Sequence, residues 1–224
     1  MENSAEISGS SLWVKSGIAG ILSVACYILA ITLPWPETQF GLSASLVIAS
    51  AWPILSIIFA YGLYSYIAVA RQSHANRLAF VFTVAAFSIV LAMLTVQLAV
   101  GASISEITGG LDQEASESLS RGLRMIDMGL DVAWDMLLAA ALIFLGVALK
   151  PQGVLGPVWA IPAIVLGAVL AVVNAATFPW PPSDVGIMDI GPVIGLFMTA
   201  LAVRLIILGR NSGLYIPRRP EDDL

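Results

Sequence analysis

Three aspartates recur at four-residue spacing in the second half of the chain, at Asp127, Asp131 and Asp135. In an α-helix this spacing places the side chains on one face, one above the other. The uncharged run that follows, Met136–Leu149, has 14 residues and spans about 21 Å as a helix, less than a hydrocarbon core of about 30 Å. A helix that crosses a membrane here must therefore bring Asp135, and by the same measure Asp131, into the bilayer or its rim. Ionisable groups at that depth are costly, and a functional site is the default hypothesis for them.

The chemistry open to these carboxylates differs along the helix. Asp131 and Asp135 are predicted either to form buried hydrogen bonds with neighbouring helices or to bind a cation, a proton or an amine-bearing ligand. For Asp127 the simpler hypothesis is a salt bridge at the membrane rim with Arg124, which lies three residues earlier on the same helical face. Three carboxylates within about 12 Å along one face also repel one another.

The composition is typical of a helical membrane protein. The chain is 58% hydrophobic and 11% charged, whereas soluble domains carry about 25% charged residues. Its apolar runs are long and continuous, which favours helices over the short alternating segments of a barrel. The net charge of −5 and the lack of a basic cluster exclude nucleic acid as a partner. We predict an all-α, polytopic membrane protein.

Runs between charged residues predict six transmembrane helices in a single domain, residues 1–210. The predicted spans cover about residues 13–34, 42–70, 78–104, 126–149, 157–178 and 186–208. Residues 211–224 are polar and proline-containing, which predicts a flexible cytoplasmic tail. With both termini in the cytoplasm, 8 of the 10 Lys and Arg residues lie on the inner side and only Arg121 and Arg124 lie outside. The positive-inside rule therefore predicts cytoplasmic termini.

Polar residues of other spans fall at the depth of the aspartates. Asn174 lies near the outer end of span five, and Asp189 opens span six. We therefore predict an outward-facing acidic and polar cavity. The predicted ligand-binding residues are Asp127, Asp131, Trp134, Asp135, Asn174 and Asp189.

Small residues predict two sites of close helix packing. The motifs are Ser16-x-x-x-Gly20 in span one and Gly191-x-x-x-Gly195 in span six. Small side chains at this spacing let the backbones of two membrane helices approach each other.

Residue types exclude several cofactors. Both lysines, Lys15 and Lys150, lie at span ends, so a retinal Schiff base within a span is excluded. The single histidine, His74, excludes a bis-histidine haem, and with the single Cys26 it cannot complete a zinc site of His, Cys and Asp ligands. We predict no cofactor and no metal.

Three short motifs in residues 120–209 carry a resemblance. They are Gly129-Leu130-Asp131-Val132-Ala133-Trp134-Asp135, Phe178-Pro179-Trp180-Pro181-Pro182 and Asp189-Ile190-Gly191-Pro192. This part of the chain resembles a group of small multi-pass bacterial inner-membrane proteins to which no activity is assigned. The resemblance implies a location in the bacterial inner membrane, and it places Asp131, Asp135 and Asp189 in the recurring parts of the pattern.

These observations favour a non-enzymatic integral membrane protein that binds a small cationic or polar ligand in the cavity, as a sensor or transporter. The alternative is an accessory subunit packed into a larger membrane complex, where the aspartates pair with basic residues of other membrane subunits. A membrane enzyme would need a second acid facing Asp135. Beyond the ligand or partner subunits, membrane lipid is the expected partner.

Overall fold

The computed structural model describes residues 3–32, 39–153, 155–180 and 182–211. Within these ranges the chain forms six long helices and no strand: α1 (Asn3–Thr32), α2 (Gln39–Ala70), α3 (His74–Thr108), α4 (Gln113–Leu149), α5 (Gly156–Thr177) and α6 (Gly191–Asn211). Each helix is long and apolar enough to cross a membrane. The predicted all-α multi-pass membrane fold is therefore confirmed, while the predicted tail lies outside the described residues from position 212 onward.

Short polar side chains fix where two of the helices begin. Ser73 Oγ accepts the backbone N–H of Asn76 at 3.1 Å at the start of α3. Asp112 Oδ1 accepts the backbone N–H of Ala115 at 2.8 Å at the start of α4. These caps satisfy N–H groups that have no partner within the helix. As a result α4 begins well before its apolar run and reaches 37 residues, about 55 Å, so its first turns extend beyond a core of about 30 Å.

The helices form a ring in which neighbours along the chain pack side by side. Consecutive helices from α1 to α5 contact one another, and α6 packs against α1. The α1–α6 pair is antiparallel, because the start of α1 meets the end of α6: a Cβ added at Gly209 would lie 3.0 Å from the carbonyl oxygen of Ser10. We call this end of the bundle the terminal end, and the other the opposite end. Between α5 and α6 the ring is closed by side chains, with the Trp159 and Phe197 ring centroids 6.1 Å apart.

The two small-residue motifs have different outcomes. A Cβ at Gly20 would lie 2.8 Å from Ala202 Cβ of α6 and 2.9 Å from Phe59 Cγ of α2, so close packing at the first motif is confirmed. A Cβ at Gly195 would meet nothing within 4 Å, and one at Gly191 would meet only the side chain of Asp189. The prediction of close packing at the second motif is therefore wrong, because these glycines border a cavity instead of a neighbouring helix.

Apolar side chains fill the bundle towards its terminal end. This cluster draws on α2, α3, α4, α5 and α6 and includes the fully buried Ile67, Leu149, Leu155, Leu201 and Leu205. Asn76 is 1% exposed at the same end, and its Nδ2 donates to the carbonyl oxygen of Tyr64 at 3.0 Å. A small cavity of about 30 Å³ remains beside Asn76, and a cavity of about 90 Å³ lies nearer the opposite end.

Candidate ligand-binding cavity

Asp135 and Asn174 form a hydrogen-bonded pair between α4 and α5. Asn174 is 1% exposed, and its Nδ2 donates to Asp135 Oδ2 at 2.9 Å and to the carbonyl oxygen of Leu170 at 3.0 Å. The second bond, to its own helix, fixes the amide, and the fixed amide orients the carboxylate. Asp135 is half-buried. The Oδ1 atom of Asn174 is buried without a hydrogen-bond partner among the described residues.

A cavity of about 90 Å³ lies beside Asp135, between the middle of the bundle and its opposite end. Residues of α1, α2, α3, α4 and α6 line it. Of the described residues that line it, Asp135 is the one with a carboxyl group, and none has an ammonium, guanidinium or imidazole group. At about 10–15 Å³ for each water molecule, the cavity has room for roughly six to nine of them. It is large enough for a small organic molecule.

Aromatic rings form much of the cavity wall, and Trp52 of α2 is at their centre. Its ring centroid lies 4.7 Å from that of Tyr27 of α1, 5.8 Å from Trp134 of α4 and 6.2 Å from Phe87 of α3. The planes of Trp134 and Phe87 stand at 88° and 82° to the plane of Trp52. Rings at nearly right angles give the cavity aromatic walls that face different directions.

Two serines cross-link α1 and α2 at the cavity. The hydroxyls of Ser23 and Ser56 are 2.7 Å apart, and Ser56 donates to the carbonyl oxygen of Trp52 at 3.0 Å. Because each hydroxyl carries one hydrogen, Ser23 is the donor within the pair. Trp134 also lines the cavity, and its Nε1–H is buried without a hydrogen-bond partner among the described residues. A buried donor of this kind is normally satisfied.

Two other predicted acids, Asp131 and Asp189, lie near Asp135 but do not line the cavity. Asp131 is half-buried one helical turn closer to the opposite end, and Asp189 is exposed just before α6. Asp189 Oδ1 accepts the backbone N–H of Gly191 at 2.7 Å, which fixes the start of α6. Both carboxylates are close enough to interact electrostatically with Asp135 and with the hydroxyl of Tyr27. Negative charge is therefore concentrated at this part of the bundle.

Asp127 lies apart from the cavity. Its Oδ1 accepts a hydrogen bond from Gln97 Nε2 of α3 at 2.7 Å. The bond joins α3 to α4 two turns from Asp135, about 12 Å along the helix. The contact is with a neutral amide of the neighbouring helix, and the salt bridge with Arg124 stays a prediction.

Sequence reasoning predicted one ring of the aromatic wall, Trp134, but not the other three. Tyr27, Trp52 and Phe87 come from three different spans, and no spacing along the chain relates them. Trp52 had one usable signal: it lies in the middle of span two, whereas membrane tryptophans favour the headgroup layer. Ser23 and Ser56 had none, because a serine in an apolar helix usually bonds the carbonyl four residues earlier.

One carboxylate and several aromatic rings are the groups that this cavity offers to a molecule inside it. Among the residues that the structure describes, no three His, Cys, Asp or Glu side chains are grouped to hold a metal ion. The described lining includes one acid, Asp135, while a paired-acid mechanism needs a second within hydrogen-bonding reach of the substrate. A single carboxylate among aromatic rings is suited to binding a cation or a hydrogen-bond donor.

Comparisons of this chain with protein-family models, curated proteins and solved structures gave no match. The residues of the cavity are therefore the basis for assigning a function.

Proposed function

We propose that this chain is a non-enzymatic integral membrane protein that binds a small cationic or polar ligand in the cavity beside Asp135, as a sensor or a transporter. The supporting observation is the half-buried Asp135 carboxylate, which is oriented by Asn174 and borders an otherwise uncharged, aromatic cavity. The motifs shared with bacterial inner-membrane proteins support a location in that membrane.

The depth of Asp135 adds to this proposal. The residue is 15 positions before Lys150, which corresponds to about 22 Å along the helix. With Lys150 at the inner boundary of a core of about 30 Å, Asp135 lies inside the outer part of the bilayer. Charges interact more strongly there than in water. A cation in the cavity would offset the mutual repulsion of Asp135, Asp131 and Asp189.

The interior position of Asp135 favours a ligand over a partner subunit. Asn174 of α5 covers one side of the carboxylate, and the cavity within the bundle lies next to it. A basic side chain of another subunit would have to pass between the helices to reach it. A small molecule in the cavity needs no such insertion.

The test is binding to the purified chain in lipid nanodiscs. Three probes are titrated separately, namely methylammonium, choline and the neutral acetamide, and tryptophan fluorescence reports binding because Trp52 and Trp134 line the cavity. We expect at least one probe to give a saturable signal. In Asp135→Asn, which keeps the side-chain volume but removes the charge, affinity for a cationic probe should fall at least about tenfold, equal to roughly 1.4 kcal/mol.

The matched control is Glu114→Gln. It removes one carboxylate from the same helix, but Glu114 is exposed in the first turn of α4, outside the cavity. Binding should be unchanged in this variant. The proposal is overturned when no probe binds saturably, or when Asp135→Asn and Glu114→Gln bind every probe like the unaltered chain.

A further inference from the structure

We infer that the ligand of this cavity is a methylated organic ammonium ion held against the aromatic wall, and not an inorganic cation or a primary amine. The inference rests on the proposed function and specifies the kind of cation. It follows from three features of the cavity: its rings, its oxygen atoms and its size.

The rings supply attraction that only an organic cation can use without losing much hydration energy. The face of an aromatic ring attracts a cation within about 6 Å of its centre, and tryptophan does so best. Trp52 and Trp134 line the cavity with their planes at 88°, and Tyr27 and Phe87 extend the wall. A methylated ammonium spreads its charge over methyl groups, which pack on such faces.

The oxygen atoms are too few for a metal ion. Calcium takes about six to eight oxygen ligands, and magnesium about six in near-octahedral geometry. The described side-chain oxygen atoms of the lining belong to the Asp135 carboxylate and to the hydroxyls of Tyr27, Ser23 and Ser56, and the two serines already bond each other. An inorganic cation would exchange its hydration shell for an incomplete one.

The small number of acceptor oxygen atoms also disfavours a primary ammonium. Its three N–H donors each need an acceptor when buried. The described side chains of the lining that carry acceptor oxygens are Asp135, which already accepts from Asn174, Tyr27 and the hydrogen-bonded pair Ser23 and Ser56; aromatic and apolar side chains make up most of the rest. A quaternary or tertiary ammonium has at most one N–H donor, so Asp135 as counter-ion and the rings as walls meet its needs.

The volume limits the ligand to a small molecule. A cavity of about 90 Å³ admits about six to nine water-sized groups, which is the size range of choline. The indole Nε1–H of Trp134 is buried without a partner among the described residues. An oxygen atom on the ligand, like the hydroxyl of choline, would be an acceptor of the kind that this donor lacks.

Gly195 of α6 provides a way to fill the cavity without disturbing the bundle. The residue lines the cavity, and a Cβ there would meet no atom within 4 Å. A leucine at this position therefore has room to enter the space that a ligand would occupy. Gly101 of α3 is exposed, and a Cβ there also meets nothing within 4 Å, so Gly101→Leu is the matched control.

The experiment measures binding of radiolabelled choline to the full chain in nanodiscs, with competition by unlabelled compounds. Choline is expected to compete at least about tenfold better than methylammonium or potassium, because they lack its methylated surface. It should also compete at least about tenfold better than dimethylbutanol, its neutral isostere, in which carbon replaces the charged nitrogen. Gly195→Leu should abolish binding, and Gly101→Leu should retain it.

Two tyrosine variants test the aromatic wall directly. Tyr27→Phe keeps the ring and is the reference variant of this pair. Tyr27→Leu removes the ring and should weaken binding about fivefold or more, the effect of roughly 1 kcal/mol of lost cation–π attraction. Both variants lack the hydroxyl, and this inference depends only on the ring in which they differ. The phenylalanine variant therefore also controls for folding.

The outcomes separate this inference from the function on which it depends. If methylammonium or potassium binds as well as choline or better, or if the two Tyr27 variants bind choline equally, the inference of a methylated ligand is overturned. The proposal that a cation binds at Asp135 would still hold. Choline binding that survives Gly195→Leu shows that its site is elsewhere and overturns the inference. If dimethylbutanol competes as well as choline, and its binding is unchanged in Asp135→Asn, both the methylated ligand and the proposed cation binding are overturned. The cavity would then be a site for apolar molecules.

Discussion

Asp135 is oriented by one partly buried hydrogen bond between two helices. Asn174 donates to Oδ2 and is itself fixed by the carbonyl oxygen of Leu170. The pair joins α4 to α5, so it contributes to folding as well as to the direction in which the carboxylate points. Its energetic value can be measured apart from any ligand.

We predict a favourable coupling between these two residues. A double-mutant cycle of Asp135→Ala and Asn174→Ala should give an interaction free energy between about 0.6 and 1.7 kcal/mol, the average and the upper end for hydrogen bonds between membrane helices. The reason is that either single change removes the same bond, so the second change costs less than it would alone. The measurement is reversible unfolding in mixed micelles of mild detergent and dodecyl sulfate.

Ser88→Ala is the control for this cycle. Ser88 is exposed and donates only within its own helix, to the carbonyl oxygen of Val84 at 2.8 Å. Its removal should change the free energy of unfolding by less than about 0.5 kcal/mol. A coupling near zero for the Asp135 and Asn174 pair would mean that the carboxylate finds equivalent partners without the amide.

At this scale, sequence reasoning could predict the acids but not their surroundings. Asp135 stands out because the apolar run after it is too short to cross a membrane. Asn174 stands out as an amide late in span five. Tyr27 and Trp52 do not, because aromatic residues are common in membrane helices and only the tertiary packing brings these two together at 4.7 Å.

At the scale of helices, glycines set the distance between α4 and α5. A Cβ at Gly146 of α4 would lie 2.6 Å from the carbonyl oxygen of Ala160, and one at Gly167 of α5 would lie 2.6 Å from that of Ala139. Each glycine therefore lets a backbone approach that no other residue permits, as is typical of membrane helix contacts. Asp135 and Asn174 lie on this same helix pair, so its spacing also determines their hydrogen bond.

We predict that Gly167→Ala destabilises the bundle by about 1–3 kcal/mol, the usual cost of overpacking. The added methyl group meets backbone at Ala139 and the backbone nitrogen of Ile143 at 3.1 Å, and backbone cannot rotate away as a side chain can. Unfolding in the same mixed micelles measures the change. We also expect choline affinity to fall, because moving α5 from α4 lengthens the Asp135–Asn174 bond.

The control for helix spacing is Gly129→Ala on α4. Gly129 is exposed, and a Cβ there meets nothing within 4 Å. The substitution should be neutral or slightly stabilising, since alanine is the better helix former. Equal stability of the Gly167→Ala and Gly129→Ala proteins would show that α4 and α5 can separate freely.

Helices were more predictable than helix contacts. Long apolar runs fix six spans because an unpaired backbone is too costly in lipid. The motif at Ser16 and Gly20 was interpreted correctly as a packing site, whereas the same spacing at Gly191 and Gly195 borders the cavity. Spacing shows that two small residues share a helix face. It does not show what that face meets, which depends on how the ring of helices closes.

For the whole molecule, the two ends of the bundle differ in charge. Basic residues are concentrated towards the terminal end, including Lys15, Arg71, Arg77, Lys150 and Arg210, while Asp131, Asp135 and Asp189 lie towards the opposite end. The positive-inside rule predicts that the terminal end faces the cytoplasm. The cavity, which lies towards the opposite end, would then belong to the outer half of the membrane, and this orientation decides from which side a ligand arrives.

We predict that Ser118→Cys is labelled from outside the cell and Gln72→Cys is not. Both positions are exposed; Ser118 is in the first turns of α4, beyond the opposite end, and Gln72 is in the loop between α2 and α3 at the terminal end. Each variant is made in a Cys26→Ala background, which removes the native thiol. The measurement is reaction with a membrane-impermeant maleimide on intact bacterial spheroplasts and again after permeabilisation.

The two cysteines control for each other, because each should react fully once the membrane is permeable. If Gln72→Cys is labelled in intact cells and Ser118→Cys is protected, the orientation in the membrane is the opposite one. The cavity would then lie towards the cytoplasm. The ligand chemistry inferred from Asp135 and the aromatic wall would be unaffected, since it depends on contacts inside the bundle. Only the compartment that supplies the cation would change, and with it the choice between an exporter or cytoplasmic sensor and an importer or external sensor.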